Sequence, residues 1–465
     1  MTAMASFPLF THRHADDIVA WSGGQPVTAQ RFLADARRLA AGMPAGAHVL
    51  NICAGRYRFA VGLTAALLAG KTSLLPPTIA PEMIAQVKSF APDVFCLADQ
   101  PQAIDMPLVS WADAMARPAQ VEDMAVAAAK KFQVPQIPAS RIAAIAFTSG
   151  STGTPVAHRK SWGALVLSVR AEAARLGLDD GRRHSIVATV PPQHMFGLES
   201  TVLIALQSGA AIVAAHPFFP ADICAVLAAT PRPRMLVTTP VHLKVLLACG
   251  LDIPLVDLLL SATAPLSPQL AEAAEARLQA PLFEIYGSTE TGQIASRRTT
   301  EGAQWRLFPG VALHSHEGRA WASGCHVEQP LPMADELELL DAERFLLHGR
   351  SADLVNIAGK RSSVGYLDHQ LNAVPGVADG AFFMPDDRDG SDGMTVTRLM
   401  AFAVAPGMTP AMVLAALRPR IDAVFMPRPL LLIDALPRNS TGKLPRQTLS
   451  DLARAHQHKS ANDAL

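Results

Sequence analysis

The sequence predicts an α/β protein: a large amino-terminal domain of two doubly wound, mostly parallel sheets plus a β-rich subdomain, followed by a small α+β domain. Three observations carry that expectation. Short apolar runs alternate with helical patterns in two series, one over residues 15–100 and a second opening near 142. After about residue 300 the pattern changes to shorter strands with polar turns. Beyond Gly349-Arg350 comes a mixed stretch of about 115 residues.

In the first series His48–Cys53 and Asp93–Leu97 read as strands, Thr28–Gly42 and Arg56–Gly70 as helices. From 101 to 138 the chain is rich in Pro and Ala and closes in Gln133-Val-Pro-Gln-Ile-Pro138, an extended connector. The second series starts with the apolar run Ile142–Phe147, and a helix-like run begins near Ser161. Strand candidates at 185–190, 210–215, 235–239, 256–261 and 282–286 then alternate with helical patterns at 198–207, 221–228, 240–248 and 268–279. Such alternation argues for parallel sheets covered on both faces, with ligands at the carboxyl ends of the strands. Glu336–Leu340 and Arg344–Leu347 read as a hairpin, and helices are expected near 409–418 and 446–456. The domains are placed at 1–350 and 351–465, with the last ten residues a frayed tail.

Half of the 465 residues are hydrophobic, enough for a large core and, at roughly 150 residues each, about three domains. Lys+Arg and Asp+Glu balance at 40 each, so no general electrostatic pull towards nucleic acid or anionic membrane exists. Cysteines 53, 96, 224, 249 and 325 form no C-x-x-C pair, which suggests neither a zinc knuckle nor a disulfide framework. The N-terminus lacks a basic segment followed by an apolar one, and no apolar run reaches the ~18 residues of a membrane span. A soluble, cytoplasmic protein is expected.

Four segments carry chemistry. In Ala146-Phe-Thr-Ser-Gly-Ser-Thr-Gly-Thr-Pro155, Gly150 and Gly153 let the backbone approach a ligand, while Thr148, Ser149, Ser151 and Thr152 offer hydroxyls and N–H groups to an anion. The alternative for an isolated loop is a flexible Ser/Gly turn; its place after a strand favours a phosphate cradle. It is not the nucleoside-triphosphatase loop, which ends its longer glycine spacing in Lys-Ser/Thr. In Glu284-Ile-Tyr-Gly-Ser-Thr-Glu-Thr291, Tyr286 beside Gly287 can lay its ring on a base, Thr289 can contact phosphate and Glu290 can hold magnesium. Alone, Tyr286 reads as core packing and Glu290 as a solvated turn charge. Asp335 and Arg350 suit hydroxyl and phosphate recognition, with salt bridging the plain alternative. Lys443, in Leu436-Pro-Arg-Asn-Ser-Thr-Gly-Lys443-Leu-Pro-Arg446, sits on a loop before the terminal helix, where a flexible cation could reach a reacting phosphate or simply face solvent.

In order and approximate spacing these four segments resemble the signature of the adenylate-forming superfamily: acyl-CoA synthetases, aryl-CoA ligases, luciferases, acyl-carrier-protein ligases and peptide-synthetase adenylation domains. The resemblance covers roughly residues 15–450. It implies a mobile C-terminal domain rotating between two half-reactions. ATP and a carboxylic acid give an acyl-adenylate and pyrophosphate, and a thiol of coenzyme A or an acyl carrier protein then takes the acyl group. By that resemblance loop 148–153 holds the β- and γ-phosphates, Tyr286 packs on adenine and Thr289 contacts phosphate. Glu290 binds Mg2+, Asp335 and Arg350 hold the ribose, and Lys443 bridges carboxylate and α-phosphate during adenylation. Pro191-Pro-Gln-His194-Met-Phe196-Gly197 matches a segment flanking the acyl pocket, with His194 as a shifting group or as a core imidazole. Ser261-Ala262-Thr263-Ala-Pro-Leu266 matches the Gly-rich segment lining the adenine and substrate pocket.

The chain also departs from the family pattern. Pro155 is followed by Val156 and Ala157 where the loop lysine is usual, leaving His158 or Lys160 as substitutes. Ala352 and Asp353 stand at the hinge, and Gly359–Ser363 with Tyr366 and Asp368 replaces the usual acceptor-side pattern. The short chain fits free-standing enzymes that load a carrier protein. The missing lysine keeps open a catalytically silent nucleotide- or acyl-binding regulator with the same fold. A serine hydrolase is set aside for want of a G-x-S-x-G elbow.

Overall fold

The computed structural model describes residues 5–116, 132–148, 156–350, 354–357, 360–385, 399–439 and 444–462. Two sheets dominate it. The six-stranded sheet runs Val156–Ser161, Ile142–Thr148, Thr72–Leu75, His48–Asn51, Phe95–Ala98, Leu108–Ser110, parallel except for its first pair. Its strands are apolar on both faces, as in Ala143–Phe147, all buried, because helices cover both sides.

The eleven-stranded sheet has a parallel centre, Leu282–Ser288, Leu258–Ser261, Arg234–Thr238, Ser185–Ala188, Ala211–Val213 and Ile18–Ser22, with antiparallel strands at both edges. The expected hairpin is present as Asp335–Leu339 with Arg344–Arg350, and it forms one edge of this sheet. Of the β-rich region after residue 300, Ala312–His316, Arg319–Gly324 and Val327–Pro332 make a separate three-stranded sheet. Two assignments change: Ile18–Ser22, from the first series, pairs in parallel with Ala211–Val213 at the far end of the second sheet, and Ile142–Thr148, expected to open the second series, lies in the six-stranded sheet beside Thr72–Leu75.

Helix starts follow their caps. Thr28 Oγ1 accepts from Arg31 N (3.2 Å) ahead of helix Ala29–Ala41, and Ser161 Oγ from Ala164 N (3.0 Å) ahead of helix Trp162–Arg175. The helical pattern at 198–207 is π-helical over Leu198–Leu203 and α-helical over Ile204–Ser208. Single π turns often mark functional sites.

The carboxy-terminal part folds on strands Asp379–Phe383, Met400–Val404 and Leu430–Leu432, with helices Val364–Asn372, Pro410–Leu417 and Arg446–Asn462. It has its own apolar cluster, including Leu367, Leu371, Phe382, Val413 and Leu417, all buried. All five cysteines are free thiols. Among the described residues no helix is long and apolar enough to cross a membrane.

Candidate active site

Parallel strands deliver their following loops to one edge, and the candidate residues gather there. Thr148 ends the strand Ile142–Thr148; Glu290 follows Leu282–Ser288; Thr263 follows Leu258–Ser261, the parallel neighbour of that strand. Ser149–Gly153 and Lys443 lie outside the described residues.

The strand Val156–Ser161 turns back antiparallel on Ile142–Thr148 and sets His158 opposite Ala146 and Lys160 opposite Ala144. Both side chains rise over alanines on one face. His158 Nε2 is 2.9 Å from Thr148 Oγ1 and 3.5 Å from Glu290 Oε1. Burial lowers the His158 pKa, the Glu290 carboxylate opposes that and Lys160 adds to it; the net shift is downward, so the ring is neutral at pH 7. Lys160 is buried, and its ammonium donates to the Glu290 carbonyl at 2.8 Å. Of the two substitutes for the loop lysine, therefore, only His158 faces Thr148, and it does so without charge.

The Glu290 turn is tied by hydroxyls. Ser288 N donates to Thr291 Oγ1 (3.2 Å), and Thr291 N to Ser288 Oγ (3.1 Å). Gly287 is a packing requirement: a Cβ there would lie 2.2 Å from Gly292 O. Thr289 is half-buried on the same turn. Tyr286 is buried between Trp305 (ring centroids 5.5 Å) and Phe345 (5.6 Å), and its hydroxyl donates to Asp335 Oδ2 at 2.6 Å. Asp335 is the backbone partner of Arg350 across the edge hairpin. Thus Tyr286, Asp335 and Arg350 come together, although the first two lie 49 residues apart.

An apolar cleft of about 270 Å³ lies at the same edge, lined by Val190, His194, Phe196, Thr239, His242 and Thr263, with Pro191 and Gly197. Gly197 permits a close fold, since a Cβ would meet Pro191 O at 1.8 Å. Of the 261–263 segment only Thr263 reaches the cleft; Ser261 and Ala262 are buried behind it. Sequence reasoning missed Thr239 and His242, whose signal was their place at the end of the strand candidate 235–239 and in the first turn of the helix pattern that follows it. His242 Nδ1 is 2.8 Å from Thr239 Oγ1, and burial lowers its pKa.

Thr263 has φ +78°, the left-handed region, where a β-branched residue is strained by about 1–3 kcal/mol. Thr263→Gly should therefore stabilise the fold by about 1 kcal/mol after the glycine entropy cost, read as a higher urea midpoint at unchanged slope.

Known proteins match this arrangement. The family model for AMP-binding enzyme matches residues 9–351. The 4-coumarate–CoA ligase of Rhodobacter capsulatus is 30% identical over 300 residues, 64% of this chain and 73% of that protein. The indoleacetate–CoA ligase of Aromatoleum aromaticum is 25% identical over 421 residues, 81% and 79% of the two chains. ATP-bound MatB from Rhodopseudomonas palustris superposes with TM-score 0.78 at 19% identity, covering 96% of this chain and 97% of that one. The o-succinylbenzoate CoA synthetase of Bacillus subtilis, solved with its acyl-adenylate intermediate, gives 0.77 at 18% identity over 93% and 95%. With the family model spanning well over half of its length, the chain belongs to the AMP-binding enzyme family, the adenylate-forming group its motifs resemble.

Proposed function

We propose that the chain is an AMP-forming acid–thiol ligase that activates an aryl carboxylic acid as its acyl-adenylate, releases pyrophosphate and passes the acyl group to a phosphopantetheine thiol. One observation carries this reading: two neighbouring parallel strands end side by side, one in the cleft wall at Thr263 and the other in the Glu290 turn. A ring and a triphosphate are thereby brought to one sheet edge. None of the cleft's lining residues is Lys, Arg, Asp or Glu, and its walls are apolar. That suits an apolar acid, such as one bearing a ring, better than a diacid.

In the first half-reaction the acid's carboxylate oxygen attacks the α-phosphorus of ATP and pyrophosphate leaves; in the second a thiol sulfur attacks the acyl carbon and AMP leaves. The first step brings two anions together, and two unit charges 4 Å apart repel by ~4 kcal/mol at an effective dielectric of ~20. Lys443, which we assign to a mobile domain over 351–465, would bridge the two. Loop 148–153 would hold the β- and γ-phosphates and Thr289 would contact phosphate. Tyr286 and Gly287 would form the adenine shelf, with Asp335 and Arg350 on the ribose. Glu290 would hold magnesium. Among the described residues no three His, Cys, Asp or Glu converge as a metal cage, and the half-exposed Glu290 suits an ion that binds through one or two carboxylates plus substrate phosphates. Bound there, magnesium would supply charge neutralisation to the triphosphate.

Pyrophosphate release, followed across benzoates, cinnamates and fatty acids with coenzyme A or a phosphopantetheinyl carrier protein, tests the reading. Ring-bearing acids should turn over, and Lys443→Ala should remove adenylation while sparing thioester transfer from supplied acyl-adenylate. Nucleotide binding with no turnover of any acid would leave the silent binding protein instead, a reading that draws on the uncharged His158.

His158→Ala should raise the ATP KM about 2- to 12-fold, the worth of a neutral hydrogen bond of 0.5–1.5 kcal/mol. Because burial keeps the ring neutral, the wild-type ATP KM should stay flat between pH ~7 and ~9. An unchanged KM in the variant would mean that the loop backbone suffices.

A further inference from the structure

The strand that follows the phosphate loop carries a buried cation that the reaction, as described, does not use. Lys160 is 8% exposed, and its ammonium donates to the backbone carbonyl of Glu290 at 2.8 Å. Burial lowers the Lys160 pKa, and the carboxyls of Glu199, Glu290 and Glu328 oppose that shift; burial in turn pushes Glu199 up to about 7. Glu199, 2% exposed, accepts from Ser168 Oγ at 3.0 Å, and Glu328 accepts from Ser161 Oγ at 2.6 Å. His326 and Gly292 close the same space, with Glu199 Oε1 3.2 Å from where a Gly292 Cβ would stand. A lone buried ammonium would lose its proton or unfold its surroundings, so these carboxylates are what let it stay charged.

The two contacts divide Glu290 between main chain and side chain. An ammonium has three donors and a compact charge, and here one donor is fixed on the Glu290 main-chain oxygen. The Glu290 carboxylate instead reaches His158, which also meets Thr148. Hydroxyls of Ser288 and Thr291 close the turn on itself; His158 meets the Glu290 carboxylate, and Lys160 ties the Glu290 main chain to the same strand leaving the phosphate loop.

We propose that Lys160 is a positioning residue for adenylation: through its bond to the Glu290 carbonyl it holds the Glu290 turn so that the carboxylate meets the metal–triphosphate. The proposal rests on the reading of Glu290 as the magnesium residue. Groups that orient a metal ligand typically contribute 10–100-fold to metal affinity or activity.

The test uses the full-length enzyme and pyrophosphate release titrated with Mg2+ at saturating ATP and acid, alongside thermal unfolding. Lys160→Met should raise half-saturating Mg2+ at least tenfold, and Lys160→Arg should recover most of that shift by donating to the same carbonyl. Because Lys160→Met strands Glu199, the double variant K160M/E199Q keeps the question answerable: it should regain wild-type Tm yet keep the raised Mg2+ requirement. A folded double variant with wild-type Mg2+ half-saturation and kcat overturns the proposal. Glu290→Gln is measured beside it. If that variant keeps its Mg2+ dependence, the metal reading of Glu290 falls and this proposal with it; if it loses activity while the double variant does not, only the role of Lys160 falls.

Discussion

Glu290→Gln should lower kcat for pyrophosphate release by about 10²–10³-fold and leave the unfolding midpoint unchanged. The stability half follows from geometry. The Glu290 side chain is 43% exposed, its bond to Lys160 runs through the main-chain oxygen, and the turn is closed by Ser288 and Thr291. Glutamine keeps all of these and can still meet His158. What it lacks is negative charge where a cation must sit against the triphosphate. The loss should therefore appear in kcat and in the Mg2+ requirement, with the acid KM unmoved because the cleft is lined by other residues. ATP–pyrophosphate exchange isolates the half-reaction, and undiminished exchange would remove Glu290 from the chemistry.

Thr148 and Glu290 were each legible as residues at strand ends, where ligands gather, but the strands belong to two different sheets, so their meeting at His158 is set by how those sheets pack. What could not be read was which side of the returning strand faces it. Residues 156–161 carry polar and apolar side chains without a clean alternation, so only the register against Ile142–Thr148 decides that His158 and Lys160 share a face. Ile18–Ser22 was assigned with its sequence neighbours, whereas its pairing with Ala211–Val213 is a contact across almost two hundred residues that no local pattern encodes. Thr263 matched a Gly-rich segment in composition only; its left-handed backbone needed coordinates. Asp368, read with the acceptor side, instead accepts from Phe382 N within the carboxy-terminal part.

Arg56 was read as nothing more than a helix start, and it yields the largest expected stability effect. Its side chain is fully buried, and its guanidinium donates to three neutral oxygens: Thr201 Oγ1, Ala188 O and Val190 O, each at 2.9 Å. Burial alone pushes its pKa down to about 9, so at pH 7 it is still a cation. Two opposed effects decide a substitution. Arg56→Met removes the cost of a buried charge, but it strips two carbonyls of their side-chain donor at about 1–3 kcal/mol each, while Thr201 Oγ1 keeps its bond to Gly197 O; unlike a side-chain partner the carbonyls cannot be mutated away. The stripped acceptors outnumber the relieved charge, and a loss of about 3 kcal/mol is expected, seen as a lower urea midpoint. Arg56→Lys should do little better, because a point charge cannot reach three acceptors that a planar fork spans. The bonded groups also bracket the cleft: Ala188 and Val190 lead into Pro191–Gly197, and Thr201 lies on the π-helical turn that follows. At a temperature where Arg56→Met is still folded, its acid KM should rise several-fold while its ATP KM holds. A variant with wild-type midpoint and acid KM would show that the clamp is dispensable and that Pro191–Gly197 keeps its shape through Gly197 packing alone.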